Sequence, residues 1–198
     1  MDLEKSIGRM ASMSRIERRP ATPEEAKALA HPLRLRILRL CLDRALTNKQ
    51  LAERLDKDPG TILHHVRTLV ATGFLAPEAV RQGEHGAFEK PYRATGKSWT
   101  VSVSDAGEGG ELAMLEAFQA EVAEAGGDAM VDQLRLGLTL DEASLKELSD
   151  RLLAVAEEFR ARPPDPGGEP YGLYIAVHRS RRVDDAGTPD PGAPGTGA

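Results

Sequence analysis

The chain has 198 residues, a formal net charge of −5, 40% hydrophobic but only 4% aromatic content, and one cysteine. That length allows one large domain or two small ones, with a core resting on Leu, Val and Ala. The lone Cys41 excludes an intrachain disulfide framework and fits a reducing, cytoplasmic setting. No apolar run approaches the roughly 20 residues of a membrane span, and Met1 to Pro20 lacks a signal-peptide core, so no membrane association is expected.

Residues 1–20 form a basic N-terminal arm carrying Arg9, Arg15, Arg18 and Arg19, which reads either as a disordered tail or as a minor-groove arm. Ala26 to Ala30 and Leu33 to Leu42 are predicted helices separated by His31-Pro32, the second with a Leu35, Leu38, Leu42 stripe. Thr47 is an N-cap candidate for a short helix with Leu51 and Leu55 on one face, and Asp56 to Gly60 breaks it. Pro59 suits the first turn of the next helix. Ile62, Val66, Leu69 and Val70 fall on one face of that helix. Thr61, His64, His65 and Thr68 fall on the other, with Arg67 at the border.

Such a helix, buried on one side and lined with hydrogen-bonding side chains on the other, suits a DNA major groove; an ordinary helical hairpin is the alternative. Two strand candidates follow, Phe74 to Ala76 and Phe88 to Thr95, joined by a Gly-bearing stretch that makes a hairpin carrying Arg81, His85, Lys90 and Arg93. Three helices, a recognition helix and a hairpin are the order of a winged helix-turn-helix, placed at residues 21–103. Residues 1–97 hold 18 Lys+Arg against 12 Asp+Glu, and the remainder holds 8 against 19. A cationic half beside an acidic one is expected where one part meets phosphate and the other meets its own copy or solvent.

Ala30-His31-Pro32-Leu33-Arg34, Leu51-Ala52-Glu53-Arg54-Leu55, His64-His65-Val66 with Leu69, and Gly73-Phe74-Leu75 resemble the DNA-binding core of ArsR-type bacterial transcription regulators. The resemblance covers about residues 24–97, somewhat over a third of the chain. It implies a homodimer gripping a roughly palindromic operator, with recognition helices one duplex turn apart. Two departures stand out. Family members that bind thiophilic metals use a cysteine pair where this chain has Thr47 and Lys49, and Glu108 to Ala125 contains no His, so no metal and no cofactor is expected. Leu63 stands where the family often has Ser.

Residues 108–180 read as a dimerisation and effector region, and 184–198 as a disordered Gly/Pro-rich tail. Glu108 to Ala125 is a predicted helix with Leu112, Leu115, Phe118 and Val122 on one side. Leu134, Leu136, Leu138 and Leu140 alternate with Arg135, Gly137 and Thr139, as in a strand. Asp141 or Ser144 caps a helix bearing Leu145, Leu148, Leu152, Val155 and Phe159, and Tyr171 to His178 reads as a final strand. Strand, helix, strand is too little to close a sheet alone, so a partner is expected. Tyr171, Tyr174 and His178 are candidate lining residues for the pocket of an unknown small-molecule effector, with core packing as the alternative.

The expected fold class is therefore α+β. With no phosphate loop, nucleophile motif or acid/base pair, an enzyme is not expected. A DNA-binding regulator, a repressor in the family sense of an operator-occupying dimer, is the leading reading; a winged helix used for protein contacts and a ligand-sensing regulator are the rivals.

Overall fold

A computed structural model describes residues 18–82, 88–102 and 110–180, in two compact units that divide at Arg160 and Ala161. The first unit begins with β1 (Arg19–Pro20) and α1 (Pro23–Leu29). Thr22 opens α1 with a capping box. Its hydroxyl accepts from the Glu25 amide at 3.3 Å, and the Glu25 carboxylate accepts from the Thr22 amide at 2.9 Å. Next is α2 (Pro32–Leu40), N-capped by His31, whose Nδ1 accepts from the Leu33 amide at 3.2 Å. The buried face of α2 is Leu33, Ile37 and Leu38, continued by Cys41. The expected stripe shares only Leu38 with that face: the helix ends at Leu40, which leaves Leu42 exposed beyond the turn.

Then come β2 (Leu46–Thr47), α3 (Asn48–Leu55) and α4 (Pro59–Ala71). Thr47 and Gln50 form a second capping box at the start of α3. Asp56 ends the helix in the left-handed region at φ 48°, a conformation that Asp tolerates better than most residues. The Asp58 carboxylate accepts from the Gly60 amide at 2.7 Å and the Thr61 amide at 3.2 Å, and Pro59 occupies the first turn of α4. Asn48 Nδ2 donates to the Pro59 carbonyl at 2.9 Å and ties the two helices across the turn.

The wing comprises β3 (Leu75–Pro77), β4 (Arg81–Gln82), β5 (Phe88–Glu89) and β6 (Pro91–Ala94). β6 pairs antiparallel with β3, Leu75 opposite Ala94, and also with β2, Leu46 opposite Tyr92. β4 and β5 pair antiparallel nearer the tip, Arg81 opposite Glu89. After a short α5 (Lys97–Thr100), β7 (Val101–Ser102) runs parallel to β1. The core collects Leu29, Ile37, Leu51, Ile62, Leu69, Phe74 and Val101 from these elements. This is an α+β winged helix-turn-helix fold.

α6 (Gly110–Ala125) packs on α2, and α7 (Glu142–Ala161) follows, capped by Asp141, whose carboxylate accepts from the Ser144 amide at 2.8 Å. The side of α6 against the core is its small-residue face, Ala113 and Ala117 with Met114 beside them. The predicted apolar face is only partly used: Leu112 and Leu115 are exposed, whereas Phe118 and Val122 are half-buried. Neither 134–140 nor 171–178 forms a strand, which corrects the strand-helix-strand expectation: only its helix is present in a single protomer. Two-residue steps along a chain make a strand only when a neighbour supplies the hydrogen bonds. The described part of the second unit, beyond Ala161, holds no helix or strand. Residues 1–17, the wing tip with Gly83, His85 and Gly86, and the 184–198 tail lie outside the described residues.

Candidate nucleic-acid interface

α4 is seated by Ile62, Val66 and Leu69, all fully buried. That seat turns Thr61, His64 and Arg67 to solvent, and places Thr68 at the margin, with its hydroxyl donating to the His64 carbonyl at 3.1 Å. Thr61 and His64 sit in the N-terminal half of the helix, beside the turn. The positive end of the helix dipole lies at the same end, where the Asp58 carboxylate takes the Gly60 and Thr61 amides and the Asp58 carbonyl takes that of Ile62.

His65 departs from the sequence reading. It is only 7% exposed, its ring centroid lies 4.5 Å from that of His31, and it meets His64 edge-on at 5.5 Å. Burial pushes its pKa down to about 4, assisted by the neighbouring His31, Arg34 and His64 charges, and its Nδ1 is buried without a hydrogen-bond partner. His65 is therefore a neutral packing residue that props His64, not a member of the exposed row. The physical reason is that His31, at the start of α2, covers the side of α4 on which His65 stands.

The basic residues of the wing are less free than the sequence implied. Arg81 stands 3.6 Å from the Glu89 carboxylate. Arg93 pairs with Glu78 and donates to the Asp43 carbonyl at 3.1 Å. Lys90 is exposed.

Sequence reasoning missed the lock behind the recognition helix. Glu25 is 5% exposed and receives both terminal nitrogens of Arg19, at 2.7 and 2.6 Å, and Lys97 Nζ at 2.7 Å. These cations, with the Thr22 amide, hold its carboxyl well below the usual carboxylate range. Lys97 also donates to the Thr72 carbonyl at 2.6 Å and lies 5.1 Å over the Phe74 ring. One ion cluster thus joins β1, α1, the C-terminal end of α4 and the exit of the wing. The Thr22-x-x-Glu25 capping pattern was the available local clue; its two cationic partners come from elsewhere in the chain.

An open cleft of about 310 Å³ lies between α2, α3 and α6, where Arg36, Arg39 and Arg54 face Glu121 and Glu124. Arg36 pairs with Glu124, and burial pushes the Glu121 carboxyl up. In the second unit Tyr171 and His178 are exposed and Tyr174 is half-buried. Among the described residues no group of three His, Cys, Asp or Glu side chains is arranged to hold a metal ion, and no helix is long and apolar enough to cross a membrane. Burial pushes the Cys41 thiol up to about 11, which marks an unreactive core residue.

Residues 29–78 match the family described as the helix-turn-helix domain. No curated protein matches the chain. Among solved structures, reduced HlyU from Vibrio cholerae is 18% identical, with 60% of this chain and 97% of that one covered and a TM-score of 0.32. Apo ZitR from Lactococcus lactis, a double mutant, is 18% identical over 80% of this chain and 95% of its own, with a TM-score of 0.31. The adhesin competence repressor AdcR from Streptococcus pyogenes is 16% identical over 81% and 94%, with a TM-score of 0.29. The matched segment spans α2 through β3, the part of the fold that carries Thr61, His64 and Arg67. Residues 29–78 are thus a helix-turn-helix domain, and β2, β3 and β6 complete it as a winged one.

Proposed function

We propose that this chain is a sequence-specific DNA-binding transcriptional regulator of the ArsR kind, acting in the cytoplasm as a homodimer on a palindromic operator. Occupancy of that operator would repress the gene behind it. The observation that carries the reading is the exposed row Thr61, His64 and Arg67 on a helix whose opposite face is fixed in the core. Thr61 and His64 are assigned to base edges, with Thr68 beside them. Arg67, Arg81, Lys90 and Arg93 are assigned to phosphate.

The test compares operator with random duplex DNA, the operator being found by selection from a random library. His64→Ala should cost about 1–3 kcal/mol on operator and little on random DNA, whereas Arg67→Ala should weaken both alike. Equal losses on both DNAs for His64→Ala would reject the base-reading role.

The ion pairs of Arg81 with Glu89 and of Arg93 with Glu78 favour a second reading, a winged helix used for protein contacts. That reading expects no salt-sensitive retention of the protein on duplex DNA. A small-molecule effector would be sought at Tyr171, Tyr174 and His178 and in the cleft beside α6, where Arg39 and Arg54 stand with Glu121.

A further inference from the structure

The most unusual surface of the first unit lies after α6. Leu134, Leu136, Leu138 and Leu140 are 82%, 65%, 57% and 41% exposed, although they alternate with Arg135, Gly137 and Thr139 as a half-buried strand would. α7 begins two residues later and leaves Leu145, Val155 and Phe159 exposed as well. Single exposed apolar residues are ordinary; a periodic strip of four beside a helix whose Leu148 and Leu152 are only half-buried is an interaction surface.

We propose that residues 134–140 pair antiparallel with the same segment of a second copy, about a two-fold axis at Gly137. This deepens the homodimer reading above by naming the surface that holds the two copies together. The sequence of the strip is self-complementary under that operation. Leu134 meets Leu140, Leu136 meets Leu138, and Gly137 meets its own copy, so all four leucines of each chain lie on one face. Arg135 falls opposite Thr139, which keeps like charges apart. A slip by one residue would set leucines against Arg135 and Thr139, and a slip by two would leave leucines unpaired.

The occupant follows from the symmetry of the strip: its leucines, glycine and Arg135–Thr139 pairs match an antiparallel copy of the same segment, and Leu145 and Val155 extend the exposed apolar surface that such a copy would cover. A two-stranded ribbon is marginal alone, and α7 supplies an apolar layer for its face. Gly137 at the axis has open space where a Cβ would stand, so the close approach of the two strands meets no obstacle there.

The test is site-directed cross-linking of the full chain, together with sedimentation. Gly137→Cys should give an interchain disulfide under mild oxidation, because opposed Cβ atoms in an antiparallel pair lie near disulfide range. Arg135→Cys alone should give none, and Arg135→Cys combined with Thr139→Cys should restore it. The native Cys41 is buried and does not compete. Leu136→Asp should shift the protein from dimer to monomer while its helix content and the thermal melt of the winged body stay unchanged. A dimer that survives Leu136→Asp, or one in which Gly137→Cys stays reduced, would overturn the pairing. So would a wild-type protein that sediments as a monomer at every concentration. Loss of all DNA binding in a protein that still cross-links through Gly137→Cys would instead overturn the regulator reading and uphold the pairing.

Discussion

Phe74 in the winged body is 1% exposed, and Phe159 in α7 is 60% exposed. The contrast holds for the regions around them. From Arg19 to Ser102, α1 to α4 start on capping side chains, β1 and β2 find partners far along the chain, and a buried cluster gathers residues from helices and strands alike. From Gly126 to Ser180 no described residue is buried, although the segment is rich in Leu and Val. Apolar content alone therefore does not locate a core. The first region is closed by itself; the second carries apolar surface that only another surface can cover.

The largest expected effect separates the two regions directly. Phe74→Ala should destabilise the protein by about 3–5 kcal/mol in chemical denaturation. Phe159→Ala should stay within about 0.5 kcal/mol in a dilute monomer. A large, concentration-dependent loss for Phe159→Ala would show that its surface is covered in an assembly, which sharpens the contrast into one between folding and association.

Glu25→Gln should cost about 2 kcal/mol, because the buried amide cannot hold two cations. The same variant should change the pH profile. The folded carboxyl lies below its ordinary value of 4.5, so its contribution is complete above that pH and is lost as acid is added. The wild type should therefore lose stability below about pH 4.5, and the variant should lose less there. Identical acid limbs would remove Glu25 from the closure of the body.

His65→Leu should stabilise by roughly 1 kcal/mol, since it replaces a buried nitrogen that has no partner. The folded pKa of about 4 is below the ordinary 6.5, so the wild type gives up stability as pH falls from 6.5 towards 4. His65→Leu should flatten that interval in thermal melts while operator affinity stays unchanged. A large loss of operator affinity would return His65 to the base-reading set.

The smallest expected effect belongs to the wing. Lys90→Ala should flatten the slope of log K against log salt by about 0.9 if one phosphate contact is lost. Arg81→Ala and Arg93→Ala should change it less, because each already faces a carboxylate.

The recognition helix, its turn and the wing were legible in the sequence because their causes are local. Thr47, Pro59 and the spacing of Ile62, Val66 and Leu69 act within a few residues of themselves. The two-residue strands β1, β2 and β7 were not legible, since Arg19 finds Val101 and Leu46 finds Tyr92 only once the chain has folded. His65 was misplaced for the same reason: its neighbour on α4 is also a histidine, and the residue that buries it, His31, lies far upstream. In α6 the leucines drew attention away from Ala113 and Ala117, whose small size is what permits close helix packing. The alternation at 134–140 was readable as a pattern, but a pattern of side chains does not supply a hydrogen-bonding neighbour.

Trp99 is the only tryptophan of the chain, and its ring has the Arg18 guanidinium at 6.0 Å and that of Arg160 at 5.3 Å. Arg18 also donates to the Val101 carbonyl, which fixes one of these cations to the body, while the other rides on the last turn of α7. The protein thus carries a built-in fluorophore at the joint between its closed and its open region. Departure of α7 would change the polarity and charge around the indole, so emission wavelength and lifetime give an unlabelled optical readout of that joint in solution.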